Sequence, residues 1–297
     1  TLNVTTVPAA FKYAAYVPNE NQGPGVAYVT LAFDKSMNVD TLLNAANYTL
    51  VGGLAKTGTI LVNSNNNRQV AIAVTGTWSA SDTVAATGLM DAAARPVPVP
   101  TGPVHAIPVT TTDIGTPSVD PIFPSWLWVD GAKDYTIVAQ GSDFWNNADG
   151  GNFTWELKTG DFDVVTRVKS VKQTDNWAKG GLMARDTLDA GSRNWNIVCS
   201  PTLGANQVNA NSRTALNGGT GTFSPTAPTP AYPNAWVRLT RSGNVIPAYY
   251  STNGLTWTAM GTQTSTAMGD ATPLPASMYV VICATAHNND VLGVEPY

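Results

Sequence analysis

The chain has 297 residues, of which only 12% are charged and 43% are hydrophobic, and its formal net charge is −4. A usual charged share is about 25%, so uncharged polar residues such as Thr, Asn and Ser supply most of the polarity, and these favour turns and strands over helices. The acidic balance and the scattered Lys and Arg residues argue against nucleic acid as a partner. No apolar run reaches the roughly 18 residues that would predict a membrane span.

The first third of the chain contains short strand-like runs separated by turn residues. In the run 27–33, Tyr28 and Thr30 lie on one face of a strand while Val29 and Leu31 lie on the other. Similar runs occur at 47–51, 58–62, 69–74 and 82–87. Short strands at this spacing predict a β-sandwich domain over residues 9–100, preceded by an extended segment at 1–8.

Proline marks the boundary between two predicted domains. Eight prolines fall between residues 95 and 124, which excludes a helix there and favours extended chain. We therefore expect a linker at 101–111 and a second, larger β domain at 112–297. Its strand-like runs are 161–168, 180–185, 195–199, 236–241, 246–250 and 278–284.

The second predicted domain resembles a known superfamily. Residues 160–168 (Gly-Asp-Phe-Asp-Val-Val-Thr-Arg-Val) and 175–186 (Asp-Asn-Trp-Ala-Lys-Gly-Gly-Leu-Met-Ala-Arg-Asp) are similar to bacterial modules of the concanavalin A-like, or laminin-G-like, jelly-roll superfamily. The similarity continues in order through 188–193, 236–243, 249–257 and 284–289. It implies a jelly-roll sandwich that serves as a carbohydrate-binding or adhesive module.

The first predicted domain resembles bacterial Ig-like domains. The resemblance is carried by residues 29–38 (Val-Thr-Leu-Ala-Phe-Asp-Lys-Ser-Met-Asn) and 44–50 (Asn-Ala-Ala-Asn-Tyr-Thr-Leu). Such a domain usually acts as a spacer in large bacterial secreted or surface proteins. Together the two resemblances imply an all-β fold class, an Ig-like β-sandwich followed by a larger concanavalin A-like jelly-roll β-sandwich.

No catalytic constellation is visible in the sequence. Asp161 and Asp163 alternate along one strand, which is typical of a solvated face and not of two carboxylates opposed across a cleft. Neither of the two histidines accompanies a nucleophile motif. We therefore expect no enzyme but a secreted, extracellular structural or adhesive protein of a cell surface. The alternative is a carbohydrate-binding module of a secreted bacterial protein, with a polysaccharide as partner.

Aromatic residues next to Asn and Asp are candidates for sugar binding. Tryptophan rings stack on the apolar face of a pyranose, while amides and carboxylates bind its hydroxyl groups. The alternative is that the rings fill the space between two sheets and that the polar residues form turns. The candidate ligand-binding residues are Trp145, Asn147, Asp149, Trp177, His287 and Asn288.

Two further features each leave two interpretations open. Asp143 and Asp149 place carboxylate oxygens close together, which predicts either a calcium site or an ordinary turn, and no other cofactor is expected. Cys199 and Cys283 each lie in an apolar strand-like run. They are either a disulfide formed in an oxidising compartment or two buried free thiols.

The two ends of the chain suggest self-association. The family's last strand continues beyond the position of Tyr297, and a β-forming segment precedes the first predicted domain. Strand addition between molecules would complete the sheet and build a head-to-tail filament or layer, or join the chain to a neighbouring surface protein. The alternative is a truncated piece with linker residues. The candidate assembly residues are Leu2, Val4, Val7, Leu292 and Val294.

Overall fold

A computed structural model describes residues 7–19, 25–64, 66–115, 125–201, 206–264 and 272–288. The chain divides into two compact units, one of residues 1–109 with 127–136 and one of residues 110–126 with 137–297. Within the described residues, one five-residue helix, α1 at Val39–Leu43, and a 3-10 turn at Ala45–Asn47 interrupt an array of β-strands. The predicted all-β class is confirmed. None of the described helices is long and apolar enough to cross a membrane.

The first unit contains three sheets. A five-stranded sheet has the order β4-β5-β2-β1-β8, a three-stranded sheet has the order β3-β6-β7, and β10 and β11 form a hairpin. The strands are β1 Phe11–Pro18, β2 Ala27–Phe33, β3 Tyr48–Val51, β4 Ala55–Val62, β5 Gln69–Thr75, β6 Thr83–Ala86, β7 Val99–Pro103, β8 His105–Ala106, β10 Trp126–Gly131 and β11 Asp134–Val138. Residues 101–111, expected to be a linker, hold the end of β7, all of β8 and the start of β9 (Thr110–Ile114), which belongs to the second unit.

The core of the first unit is apolar, and the unit also buries the carboxylates of Asp82 and Asp91. Every residue of β2 is buried, and Val29 and Leu31 contribute to a core shared with the three-stranded sheet. The Asp91 carboxylate accepts hydrogen bonds from the backbone N–H groups of Ala9, Ala93 and Arg95, and from Arg95 Nε at 2.7 Å. These bonds close the 91–95 turn. They also pair the Asp91 carboxylate, whose burial without partners would cost free energy.

The second unit is a sandwich of two antiparallel sheets. The larger sheet has the order β12-β13-β22-β15-β16-β17-β18, with β9 also paired to β13, and the smaller has the order β14-β19-β20-β21. The strands are β9 Thr110–Ile114, β12 Asp143–Trp145, β13 Ala148–Thr159, β14 Phe162–Val168, β15 Lys179–Arg185, β16 Asn194–Ser200, β17 Gln207–Arg213, β18 Gly221–Thr222, β19 Ala235–Arg241, β20 Val245–Ser251, β21 Thr258–Thr264 and β22 Ser277–Thr285.

The larger sheet is buried on both faces over much of its width. Trp195, Ile197 and Cys199 point into the core between the two sheets. On the opposite face a second apolar cluster forms around Phe144, which lies against Gly151. A Cβ on Gly151 would come within 2.4 Å of the Phe144 ring, so this close approach requires glycine.

The two cysteines lie on opposite faces of this sheet. Cys199 belongs to the core between the sheets and Cys283 to the cluster on the other face, with β15 between their strands. Both are free and buried, and this placement excludes the disulfide. Burial raises the pKa of Cys199 to about 12 and that of Cys283 further still, which keeps both thiols protonated at neutral pH.

The predicted assembly residues fall largely outside the described ranges. Leu2, Val4, Leu292 and Val294 lie outside them. Val7 is described, is 64% exposed and belongs to no strand. Strand addition between molecules therefore stays a prediction.

Candidate functional site

An open groove of about 440 Å³ lies on the second unit, on the face of the larger sheet that points away from the smaller one. Strands β12, β16 and β17 contribute alternate residues to it, because every second side chain of a strand faces the same side, and β15 and β18 contribute one residue each. Its lining is mixed, with two indole rings, one aliphatic side chain and several amide, hydroxyl and charged groups. The lining residues are Asp143, Trp145, Trp177, Lys179, Val198, Ser200, Gln207, Asn209, Asn211, Thr222 and His287.

Trp145 is held at the groove by an arginine from β17. The Trp145 carbonyl accepts a hydrogen bond of 3.1 Å from Arg213 Nη2, and the next carbonyl, of Asn146, accepts one of 3.2 Å from Arg213 Nε. Asn146 has φ +50°, a left-handed conformation that asparagine tolerates better than most residues. Arg213 thus fixes the turn on which the Trp145 ring stands.

Arg213 is also part of a buried ionic centre. Its Nη1 donates to the carbonyls of Ala190 and Ser192, both at 3.1 Å, and its Nη2 donates to Asp149 Oδ1 at 2.7 Å. All five N–H donors of the guanidinium are therefore used. Arg185 Nη1 lies 3.2 Å from the other Asp149 oxygen, and all three side chains are fully buried.

Asp149 is therefore paired within the interior of the unit and does not line the groove. Burial is the largest influence on its carboxyl and raises the pKa above the usual value, although the Arg213 hydrogen bond and the two guanidinium charges act in the opposite direction. Each carboxylate oxygen already faces a cation, so Asp149 cannot join Asp143 in binding calcium, and the predicted calcium pair is not formed. Among the described residues no group of three or more His, Cys, Asp or Glu side chains is arranged to hold a metal ion.

Charged groups at one end of the groove form a connected chain. Lys179 Nζ lies 2.5 Å from Asp143 Oδ1, and His287 Nε2 lies 3.1 Å from Asp143 Oδ2. The other imidazole nitrogen, Nδ1, lies 3.1 Å from Asp175 Oδ1. This second contact has the distance of an ion pair but not the direction of a hydrogen bond. The imidazole thus occupies the space between the two carboxylates.

The loop that carries Trp177 is tied to the end of β22. Thr174 Oγ1 donates to the Ala286 carbonyl at 2.6 Å, and Asp175 Oδ1 accepts the Trp177 backbone N–H at 2.7 Å. His287 itself has φ +56°, a left-handed conformation that is uncommon outside glycine, although histidine adopts it more often than most residues. Trp177 remains 46% exposed, and Lys179 Nζ lies 5.8 Å from its ring centroid. The loop therefore presents the exposed Trp177 ring on a backbone that these hydrogen bonds hold in place.

The structure brings together Asp143, Trp145, Trp177 and His287, four of the residues singled out from the sequence. Asn147 is exposed on the adjacent turn, and Asn288 is half-buried beyond His287; neither lines the groove. Sequence reasoning missed the polar residues of β17. Their signal was present in the alternation of Gln207, Asn209 and Asn211 with apolar residues.

The groove has the chemistry of a site for a neutral, hydroxyl-rich ligand. Its two indole rings offer surfaces for stacking, and its amides and hydroxyls offer both donors and acceptors. Asp143 is the carboxylate among the described lining residues, and it is paired with a lysine and a histidine. Asp143 and Asp175 do not flank an open space of the kind that glycoside hydrolysis by two carboxylates requires, because His287 lies between them.

Comparisons with known proteins give no family for the chain. No protein-family model matches it, and no curated protein matches it. Among similar solved structures is a functionally unknown protein from Saccharomyces cerevisiae, at 14% identity and a TM-score of 0.45, over 64% of this chain and 90% of that one.

Two similar solved structures are glycoside hydrolases. A mutant of the GH43 protein BlXynB from Bacillus licheniformis is 9% identical, with a TM-score of 0.35, over 100% of this chain and 53% of that one. An engineered GH43 enzyme with endo-xylanase and exo-arabinofuranosidase activity is 12% identical, with a TM-score of 0.35, over 96% of this chain and 63% of that one. The chain thus spans less than two thirds of either hydrolase.

These findings correct two predictions. Because two of the similar structures are glycoside hydrolases, the predictions of a non-catalytic structural or adhesive protein and of no enzyme are contradicted. At these identities and TM-scores the similarities assign neither activity nor substrate to this chain.

Proposed function

We propose that the second unit is a carbohydrate-active domain that binds a saccharide chain in the groove. The observation that carries this proposal is the presence of two accessible indole rings, Trp145 and Trp177, in one groove with several amides. The groove's volume of about 440 Å³ falls in the range of small-molecule sites, roughly 300–1,000 Å³.

Two physical arguments support a sugar over a purely apolar ligand. The polar lining would lose hydrogen bonds to water without replacement if an apolar molecule covered it, which costs free energy. A sugar ring instead offers an apolar face to the indoles and hydroxyl groups to Gln207, Asn209 and Asn211.

A glycan array, followed by calorimetry with the glycans retained, tests the proposal. Trp177→Ala and Trp145→Ala should each weaken binding at least tenfold, equivalent to about 1.4 kcal/mol. The matched control is Trp257→Ala, because Trp257 packs against Arg238 on the smaller sheet, away from the groove. Failure of every glycan to bind the native protein, or an equal loss in Trp257→Ala, would refute the proposal.

Release of reducing ends from the same polysaccharides shows whether binding leads to bond cleavage. The variant to compare is Asp143→Asn, because Asp143 is the carboxylate at the groove. Release that disappears in this variant while binding persists would place Asp143 in the chemistry.

We also propose the finer fold assignment and the location of the protein. The sheets packed around a core in each unit support an Ig-like sandwich followed by a concanavalin A-like jelly roll, together with the motifs quoted above. The low charge and the Asn- and Thr-rich composition support a secreted, extracellular protein. Experimental structures of both units and fractionation of producing cells are the tests.

A further inference from the structure

A chain of side-chain hydrogen bonds runs across the larger sheet to the groove. Asn194 Nδ2 donates to Asp149 Oδ2 at 3.1 Å, and Asn196 Nδ2 donates to Asn194 Oδ1 at 3.1 Å. Asn211 Nδ2 then donates to Asn196 Oδ1 at 3.0 Å. The three amides, here called the asparagine relay, are each at most 2% exposed. The relay therefore links the buried ionic centre to a residue that lines the groove.

The ionic centre fixes the direction of the relay. Asp149, held between two guanidinium groups, can only accept hydrogen bonds, so Asn194 must turn its NH₂ group toward it. The carbonyl oxygen of Asn194 then faces Asn196, which must donate in turn. Each amide has one carbonyl and one NH₂ group, so reversing any one of them would leave two acceptors or two donors face to face.

This direction sets the chemistry at the groove. The carbonyl oxygen of Asn211 accepts a hydrogen bond of 2.8 Å from Thr222 Oγ1, so the Thr222 proton is committed to Asn211. Thr222 Oγ1 retains only lone pairs for a ligand, while Asn211 Nδ2 retains a second N–H. The groove thus presents one acceptor beside one donor.

We propose that the asparagine relay makes this end of the groove selective for neutral saccharides over uronates. This inference rests on the proposed function. A sugar hydroxyl can donate to Thr222 Oγ1 and accept from Asn211 Nδ2 at once, whereas a carboxylate can only accept. A carboxylate placed here would leave its charge facing the lone pairs of Thr222, which disfavours binding. Asn194 and Asn196 are positioning residues, and Asn211 and Thr222 determine specificity.

The selectivity is tested by comparing the affinities of one protein for neutral and for acidic saccharides of equal length. The probes are neutral hexasaccharides of xylose, glucose and mannose, and a hexagalacturonate of the same length. The native protein should bind the best neutral probe at least tenfold more tightly than hexagalacturonate. Thr222→Val, at an exposed site, should reduce this ratio roughly tenfold by removing the acceptor. Asn196→Ser should reduce it as well, by releasing the orientation of Asn211.

The matched control is Asn152→Ser. Asn152 is fully buried in the same sheet but bonds to Thr111 and Asp113, outside the relay, so its loss should lower thermal stability without changing the ratio. If the ratio of the affinities for the neutral probe and for hexagalacturonate is unchanged in Thr222→Val or in a folded Asn196→Ser, the role of the relay is overturned. The proposal of saccharide binding then still stands. Binding of no probe overturns the proposed function and the relay's role together.

A ligand-free measurement keeps the relay testable if binding is weak. The side-chain NH₂ signals of Asn211 in ¹⁵N NMR spectra should shift in Asn196→Ser and stay unchanged in Asn152→Ser. Unshifted Asn211 signals in Asn196→Ser would show that the amides are not coupled.

Discussion

The two faces of strand β16 are equally buried but chemically opposite. Trp195, Ile197 and Cys199 pack into the apolar core between the sheets. Asn194 and Asn196, which alternate with them along the strand, face the other side and are just as inaccessible to solvent. Polar groups are tolerated there because their amides are paired with one another and with the Asp149 centre. A buried position therefore does not require an apolar residue. A polar side chain is tolerated there when its hydrogen bonds are made within the protein.

The largest expected effect lies on the polar face. Arg213→Met removes five hydrogen bonds and leaves Asp149 without its closest cation, which should destabilise the second unit by about 3–5 kcal/mol. Chemical denaturation of the full chain measures this loss. Arg167→Met is the control, since Arg167 is exposed and packs against Trp236. A loss below about 1 kcal/mol in Arg213→Met would show that the buried centre does not stabilise the fold.

A smaller effect is expected on the apolar face. Ile197→Val removes one methylene group from the core without exposing a polar atom, so it should cost about 0.5–1.5 kcal/mol. The same denaturation experiment applies, and ligand affinity should stay unchanged because Ile197 points away from the groove. If Ile197→Val lowered the free energy of unfolding as much as Arg213→Met, the expected difference between the two faces would be contradicted.

The smallest effect concerns the ion pair between Arg238 and Asp163, which lies on the smaller sheet and not on strand β16. Hydrogen bonds from Arg238 lower the pKa of Asp163 below its usual value of 3.8, although the carboxylate is 53% exposed. Its contribution is therefore present above about pH 4 and is lost as the pH falls through the lower, folded-state pKa. Arg238→Gln should reduce the stability lost on acidification by less than about 1 kcal/mol. Denaturation midpoints between about pH 5 and pH 2 measure it, and identical curves for both proteins would contradict it.

Sequence reasoning recovered strands with a strong local apolar pattern, such as β2 and β16, but it predicted no strand at β1, β13 or β17. Alternation identified β2, and tryptophan beside Asn and Asp made Trp145 and Trp177 candidates, both of which line the groove. It misassigned Asp149, whose Arg213 partner lies 64 residues away. Periodicity shows which residues share a face of one strand but not which distant strands are neighbours. The ionic centre and the relay depend on that pairing, so a single sequence could not predict them.

Chemical-shift mapping of the ¹⁵N-labelled protein with a bound neutral hexasaccharide tests the central claim most directly. The perturbed signals should cluster in β12, in the loop before β15 and along the groove side of β16 and β17, including the indole N–H signals of Trp145 and Trp177. Perturbations confined to the smaller sheet around Trp236 and Trp257, or to the first unit, would contradict it.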